Sequence, residues 1–135
     1  MKIEEHEEAY KEHLTHIKRD IEEGIEENQR NITFNISQGS VELLSIFLHK
    51  TNLIESSGDM LDHRVFKRKE LVKKRLPQIF PNKDRILAIM KEIEEERNII
   101  CYGKRKPKER VEKVINLFNN LREIINKELE NARKK

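Results

Sequence analysis

The chain has 135 residues, a net charge of +3, 39% charged residues and only 5% aromatic residues. This length suits one domain with a useful core, and the few glycines and prolines favour an all-α protein. No apolar run approaches the roughly 20 residues that span a bilayer, and the acidic start lacks the pattern of a secretory signal. A single cysteine, Cys101, excludes an internal disulfide. We therefore expect a cytoplasmic protein with no membrane partner.

Apolar residues spaced three and four apart predict the first two helices. The first is expected from Glu4 to Glu27, where one narrow apolar stripe is typical of a helix that packs along one side of a bundle. The second is expected from Ile32 to Leu53, with Phe34 among the residues of its main apolar face. Because this helix is apolar on more than one side, we expect it to be the most buried.

Small and polar residues interrupt the second predicted helix at Ser37-Gln38-Gly39-Ser40. They have poor helix propensity, and Gly39 alone costs about 1 kcal/mol relative to alanine. Either another helix or a ligand that comes close would compensate for this cost. A plain contact between helices is the simpler of the two interpretations.

Three further helices complete the prediction. A short one is expected from His63 to Arg75, and a long one begins after Asn82, a good N-cap residue. Gly103 can take a positive φ and end that helix, and Pro107 suits the first turn of the last helix. The sequence thus predicts a single domain over residues 1–135, an antiparallel up-and-down bundle of four long helices plus one short helix.

Charge is distributed unevenly along the chain. Residues 1–30 carry five basic and ten acidic side chains, whereas residues 101–135 carry eleven basic and five acidic ones. Between them, residues 64–75 hold seven basic residues and one glutamate. Such segregation is compatible with nucleic-acid binding, and it is also what solvated helix faces produce.

The stretch Glu95 to Lys104 places an arginine where the helical pattern calls for an apolar residue. Arg97 continues the stripe formed by Ile86, Met90, Ile93 and Ile100. A buried guanidinium needs a carboxylate, carbonyl or phosphate, because its desolvation costs several kcal/mol. Arg97 is therefore either part of a structural ion pair or an anion-binding site. Asn98 and Tyr102, four residues apart on a neighbouring face, are expected to bring their polar ends beside it.

Histidines in the first helix invite a metal interpretation. His13 and His16 could share one helical face, with His6 on the same helix. No carboxylate-histidine signature accompanies them, and the chain has no phosphate-binding glycine loop and no nucleophile motif. We expect no metal site and no cofactor.

The segment Arg97-Asn98-Ile99-Ile100-Cys101-Tyr102 resembles the Arg-x4-His motif of the HEPN domains, small helical bundles associated with prokaryotic nucleotidyltransferases. The second predicted helix, from Phe34 to Leu44, is similar to the family's glutamine- and alanine-rich helix. His63 stands where many members have a histidine. The resemblance covers residues 5–125 and implies a HEPN-like fold.

In active HEPN ribonucleases, the arginine and the histidine of two facing protomers form a metal-independent RNA-cleaving site. Arg97 matches that arginine, and Asn98 matches the polar residue often beside it. Tyr102 takes the place of the histidine, and an unperturbed phenol with a pKa of about 10 is a poor base at neutral pH. His49 or His63 is an alternative source of an imidazole.

The leading hypothesis is a homodimer that binds RNA or a nucleotide at an Arg97-centred groove without efficient cleavage. Four neighbouring basic residues support it because they attract phosphate; they are Lys104, Arg105, Lys106 and Lys108. The homodimer is also supported by apolar residues that a single bundle is not expected to cover completely. They are Ile36, Leu43, Ile99 and Ile100. The alternatives are a protein-interaction module, such as a partner of a nucleotidyltransferase, and a metal-independent endoribonuclease.

Overall fold

The computed structural model describes residues 2–53, 66, 68–76 and 79–134. Within these residues all regular structure is helical, and no strand occurs. The five helices are α1 (Ile3–Glu23), α2 (Gln29–Lys50), α3 (Lys69–Arg75), α4 (Lys83–Ile100) and α5 (Lys108–Arg133). The all-α prediction is confirmed at this level.

The first turn of the chain comes earlier than the sequence pattern indicated. Gly24 adopts a φ of 146°, which L side chains rarely take, and α1 ends at the residue before it. The amide of Asn28 then donates to the carbonyl oxygens of Asp20 and Gly24, at 3.3 and 3.0 Å. This side chain closes the connection, so α2 begins at Gln29, three residues before the predicted start.

The short helix α3 ends at Arg75 as predicted but begins at Lys69, six residues after its expected start, whereas α4 begins at Lys83, directly after Asn82 as expected. The φ of Asn82, 58°, is left-handed, however, and its side chain makes no capping bond to that helix. Its amide instead donates to Glu128 of α5 at 3.1 Å. Gly103 takes the expected positive φ, 79°, three residues after α4 ends. His63 lies outside the described residues.

The core is centred on α2, as predicted. Fifteen of its 22 residues are buried, whereas α5 buries only six of 26. α2 packs against α1, α4 and α5, and α4 packs against α5. Leu44 and Phe47 are fully buried. Removing either side chain is expected to cost about 2 to 5 kcal/mol.

Three apolar positions that suggested an interface between two copies are covered within one chain. Ile36, Leu43 and Ile100 are at most 3% exposed. Ile99 is partly exposed. Most of the apolar surface that motivated the homodimer is thus already used by the core.

Gly39 lies at a close contact between helices. A Cβ atom built on Gly39 would come 3.4 Å from Cβ of His13 on α1 and 3.6 Å from Cζ of Phe118 on α5. Both distances are near ordinary van der Waals contact, so a methyl group fits only narrowly. The simpler interpretation of the polar interruption, a contact between helices, therefore holds at Gly39.

Replacing Gly39 by valine should destabilise the protein by about 1 to 3 kcal/mol, because two extra methyl groups would overpack this contact. Alanine is the matched control, since its single methyl group still fits at van der Waals distance and improves helix propensity by up to about 1 kcal/mol. Urea unfolding of the three proteins measures the difference. A valine variant as stable as the wild type would contradict the close packing of α1, α2 and α5 at this residue.

Candidate functional site

Arg97 is buried in the last turn of α4, where its guanidinium belongs to a polar network inside the bundle. The side chain is 9% exposed, and Nη1 donates to Oγ of Ser37 on α2 at 3.0 Å. Ser37 in turn donates to Oε1 of Glu94, one turn earlier on α4, at 2.5 Å. A hydroxyl can accept and donate at once, so Ser37 links the two charged residues. The requirement that a buried arginine have a partner is met here by α2.

The ring of Phe34 covers the other side of this network. Cζ of Arg97 lies 5.0 Å from the centre of the Phe34 ring, within the range of a cation-π contact. Phe34 is 45% exposed. Its assignment to the main apolar face of the second helix was therefore wrong. The ring packs on a cation at the edge of the core and leaves part of its surface in solvent.

Asn98 and Tyr102 are both exposed, and Tyr102 is 65% exposed. Within the described part of the chain, neither side chain has a hydrogen bond, whereas Arg97 is bonded to Ser37. The polar ends of Asn98 and Tyr102, which we expected beside the guanidinium, therefore make no hydrogen bond to it. The Tyr102 hydroxyl thus has no hydrogen-bond partner among the described residues.

The loop between α4 and α5 is fastened to the start of α2. Gln29, 3% exposed, donates from Nε2 to the carbonyl oxygen of Lys106 at 2.9 Å and accepts from its backbone N–H at 2.7 Å. Arg30 donates from Nη2 to the carbonyl oxygen of Gly103 at 2.8 Å. Sequence reasoning missed both residues because they stand in a polar stretch that interrupts the helical pattern. The one indication that the sequence could have offered is that the second helix could extend back to Gln29.

Cys101 lies beside the same contact. Its Sγ is 3.7 Å from the carbonyl oxygen of Arg30. Burial raises the pKa of the thiol, and the nearby charges of Arg97 and Arg30 only partly offset that effect. A thiol with a raised pKa is a weak nucleophile at neutral pH, so Cys101 is a packing residue here.

Three of the four predicted basic residues are exposed on this loop and on the first residue of α5: Lys104, Arg105 and Lys108. The fourth, Lys106, is partly buried and donates from Nζ to the carbonyl oxygen of Lys104 at 2.8 Å. Arg105 shares a depression of about 250 Å³ with Arg30. Glu27 is the acidic member of its lining, which also includes Asn28, Gln29 and Asn31. The structure thus brings an arginine of α2 next to the predicted basic loop.

A second group of basic residues is neutralised. Arg110 donates to both carboxylate oxygens of Glu96, at 2.8 and 3.2 Å, and Nζ of Lys113 lies 3.5 Å from Oε1 of Glu96. The Glu96 side chain is only 6% exposed. These contacts hold α4 against α5 and leave Arg110 little capacity to bind an external anion.

The histidines of α1 are engaged in contacts with α2. Nδ1 of His6 lies 2.6 Å from Oε2 of Glu42, and Nδ1 of His13 lies 2.8 Å from Oδ1 of Asn35. The described residues contain no group of three or more metal-binding side chains placed to hold a metal ion. His6 is 4% exposed, so its imidazole is buried between α1 and α2.

His49 lies at the other end of α2, with its ring centre 5.3 Å from that of His6. Because it follows Ser37 by twelve residues, it is about 18 Å further along the helix axis. Within one chain it therefore cannot supply an imidazole to Arg97. Desolvation, followed by the charge on His6, lowers the pKa of His49.

No family model, curated protein or solved structure matches this chain. Among the described residues, every helix is too short or too polar to cross a membrane.

Replacing Arg97 by alanine should lower the free energy of unfolding by about 1 to 3 kcal/mol, because the bond to Ser37 and the contact with Phe34 are both lost. Asn98→Ala, an exposed change on the same turn, should stay within about 0.5 kcal/mol of the wild type. Denaturant unfolding compares the two variants. Equal stabilities for Arg97→Ala and the wild type would contradict a structural role for the network.

The lowered pKa of His49 predicts a loss of stability as the pH falls. The folded state binds a proton on His49 less readily than the unfolded state, whose histidine pKa is about 6.5. Stability supplied by the neutral ring is therefore complete above that pH and declines below it. Thermal unfolding between about pH 7 and pH 5.5 should show a shallower decline for His49→Gln than for the wild type. Equal slopes would contradict this assignment.

Proposed function

We propose that this protein is a HEPN-like homodimeric domain that binds single-stranded RNA or a nucleotide, without efficient cleavage. The observation that carries the proposal is the meeting of Arg30 and Arg105 in one depression, with exposed Lys104 and Lys108 on the same loop and the helix that follows. We call these four residues the basic end. They bring together one residue of α2, two from the loop between α4 and α5, and the first residue of α5.

The basic end has the charge needed for phosphate. Within the described ranges, none of its four side chains lies within salt-bridge distance of a carboxylate. By contrast, Arg110 and Lys113 are paired with Glu96. Cations that are not neutralised by the protein can exchange their counterions for phosphates, which favours binding at low salt.

The loop is also held in place before any ligand arrives. Gln29 bonds both backbone groups of Lys106, and Arg30 bonds Gly103. A surface that is already ordered loses less conformational freedom on binding. These contacts therefore support a built anion-binding surface over a solvated charge run.

Of the two roles that the sequence left open for Arg97, the proposal adopts the structural one. Its contacts with Ser37 and Phe34 and its 9% exposure favour support of the surface from below. The proposal therefore assigns phosphate contacts to the basic end. Arg97 holds Phe34 beside it.

The HEPN-like, antiparallel arrangement is supported by contact pairs along the helices. His6 meets Glu42 while His13 meets Asn35, so α1 and α2 run in opposite directions. α4 and α5 behave in the same way, because Asn82 meets Glu128 and Glu96 meets Arg110. The homodimer is proposed from the family resemblance.

The lack of efficient cleavage is proposed from Tyr102. It occupies the position of the family's histidine, is 65% exposed and has no hydrogen bond in the described part of the chain. A phenol is a poorer general base than an imidazole at neutral pH. A metal-independent endoribonuclease is therefore the weaker alternative.

A protein-interaction module, such as a partner of a nucleotidyltransferase, is the second candidate. The observation that favours it is the internal character of the Arg97 network, in which Nη1 donates to Ser37 and Ser37 donates to Glu94 inside the bundle. In that case the basic end would meet an acidic protein surface. The two candidates differ in whether RNA alone binds.

Replacing Lys104 and Arg105 together by alanine should weaken the binding of a single-stranded RNA, measured by fluorescence anisotropy at several salt concentrations. Each phosphate contact contributes about 0.7 to the slope of log K against log salt for single strands. The double variant should therefore reduce that slope by about 1.4 if both residues contact phosphate.

The matched control removes two exposed lysines of α1, Lys11 and Lys18, and changes the net charge by the same amount. It should leave the slope nearly unchanged. If both double variants weaken binding equally, the attraction is a property of net charge, and the basic end is not a site. If the wild type binds no RNA at low salt, the interaction module becomes the better account.

A further inference from the structure

We propose that Phe34 is a stacking platform for one base of the bound RNA, a role that rests on the proposed function and adds a base-binding position to it. Three large apolar side chains are exposed in the described residues: Phe34, Ile79 and Tyr102. Phe34 alone among them belongs to α2, the most buried helix. An aromatic ring left 45% exposed on such a helix calls for an explanation.

The ring is supported from one side. The Arg97 guanidinium lies 5.0 Å from the ring centre and is itself held by Ser37. Ser37 is fully buried, so the residue that holds the Arg97 guanidinium belongs to the packed interior of the bundle. A flat ring that is fixed from below and open above can bind a second flat group with little loss of conformational freedom.

The position of Phe34 relative to the basic end suits a nucleotide. Arg30 precedes Phe34 by four residues, so the two side chains are neighbours on one face of α2, about 5 to 6 Å apart at Cβ. Arg30 also bonds Gly103, the residue between Tyr102 and Lys104. A base on Phe34 would therefore have its phosphate within reach of cations.

Single-stranded RNA matches this pairing of ring and cations better than an apolar peptide does. Aromatic stacking accepts any base, because every base has a π-face, and it operates together with basic residues that track the backbone. An acidic peptide would use the cations, but it would not require the open face of Phe34. The observations therefore favour a nucleobase as the occupant.

The test compares wild type with Phe34→Leu and uses two probes, a fluorescein-labelled single-stranded RNA and inorganic polyphosphate. Loss of one stacked base should weaken RNA binding about 5- to 150-fold. Polyphosphate carries charge without bases, so its affinity should be unchanged. Equal weakening for both probes would overturn stacking in favour of a structural role, and unchanged RNA binding would overturn it directly.

Phe34→Trp provides a second readout that also covers a leucine variant that fails to fold. The chain has no tryptophan, so the new indole would be the sole one. RNA should quench its fluorescence while polyphosphate should not. Ile79→Trp, at a residue that is 83% exposed, is the matched control and should respond to neither probe. An indole at residue 34 that RNA leaves unquenched, although RNA binds, would also overturn stacking.

These outcomes separate the inference from the proposed function. If wild type binds RNA and the basic-end variant loses that binding, but Phe34→Leu does not, stacking fails and the phosphate-binding surface remains. If wild type binds neither RNA nor polyphosphate at low salt, both proposals fail together.

Discussion

The cost of removing charge from water governs the centre of this bundle. Glu94 and Arg97 occupy the face of α4 that points into the protein, and Ser37 of α2 connects them. A buried charge without such contacts would cost several kcal/mol. α2 therefore has to supply a small polar side chain at this depth, although most of its neighbours are apolar. The contact also fixes the relative position of α2 and α4 more narrowly than apolar packing would.

Fixing these helices has consequences at the surface. The guanidinium that donates to the buried Ser37 also packs against the partly exposed ring of Phe34, so one side chain contacts both the interior and the surface. Arg30, one turn before Phe34 on α2, donates a hydrogen bond to the carbonyl oxygen of Gly103 in the loop after α4. Interior charge and exposed aromatic surface are thus parts of one structure.

Sequence periodicity was sufficient to locate the four long helices and the central position of α2, because apolar spacing reflects burial directly, but it did not give the ends of α1 or the starts of α2 and α3. It also identified Arg97 as a residue that needs a partner. It could not identify Ser37 as that partner, because pairing between helices depends on their relative rotation. Phe34 was misplaced for a related reason: an aromatic residue at core spacing looks apolar whether it packs on leucine or on a guanidinium. Gln29 and Arg30 were hidden because side chains that bond to a distant backbone leave no periodic trace.

The two hydrogen bonds between the Gln29 side chain and the Lys106 backbone fix the shape of the loop independently of the charge on its side chains. The Gln29 amide bonds only to backbone N–H and C=O groups, so these bonds do not depend on which side chains the loop carries. Lys104, Arg105 and Lys108 can therefore be exchanged for other residues while the path of the chain stays the same. The charge of this surface can change gradually by substitution on the loop, whereas the residue that holds the loop is constrained. Gln29 would then persist in variants whose surface chemistry has diverged.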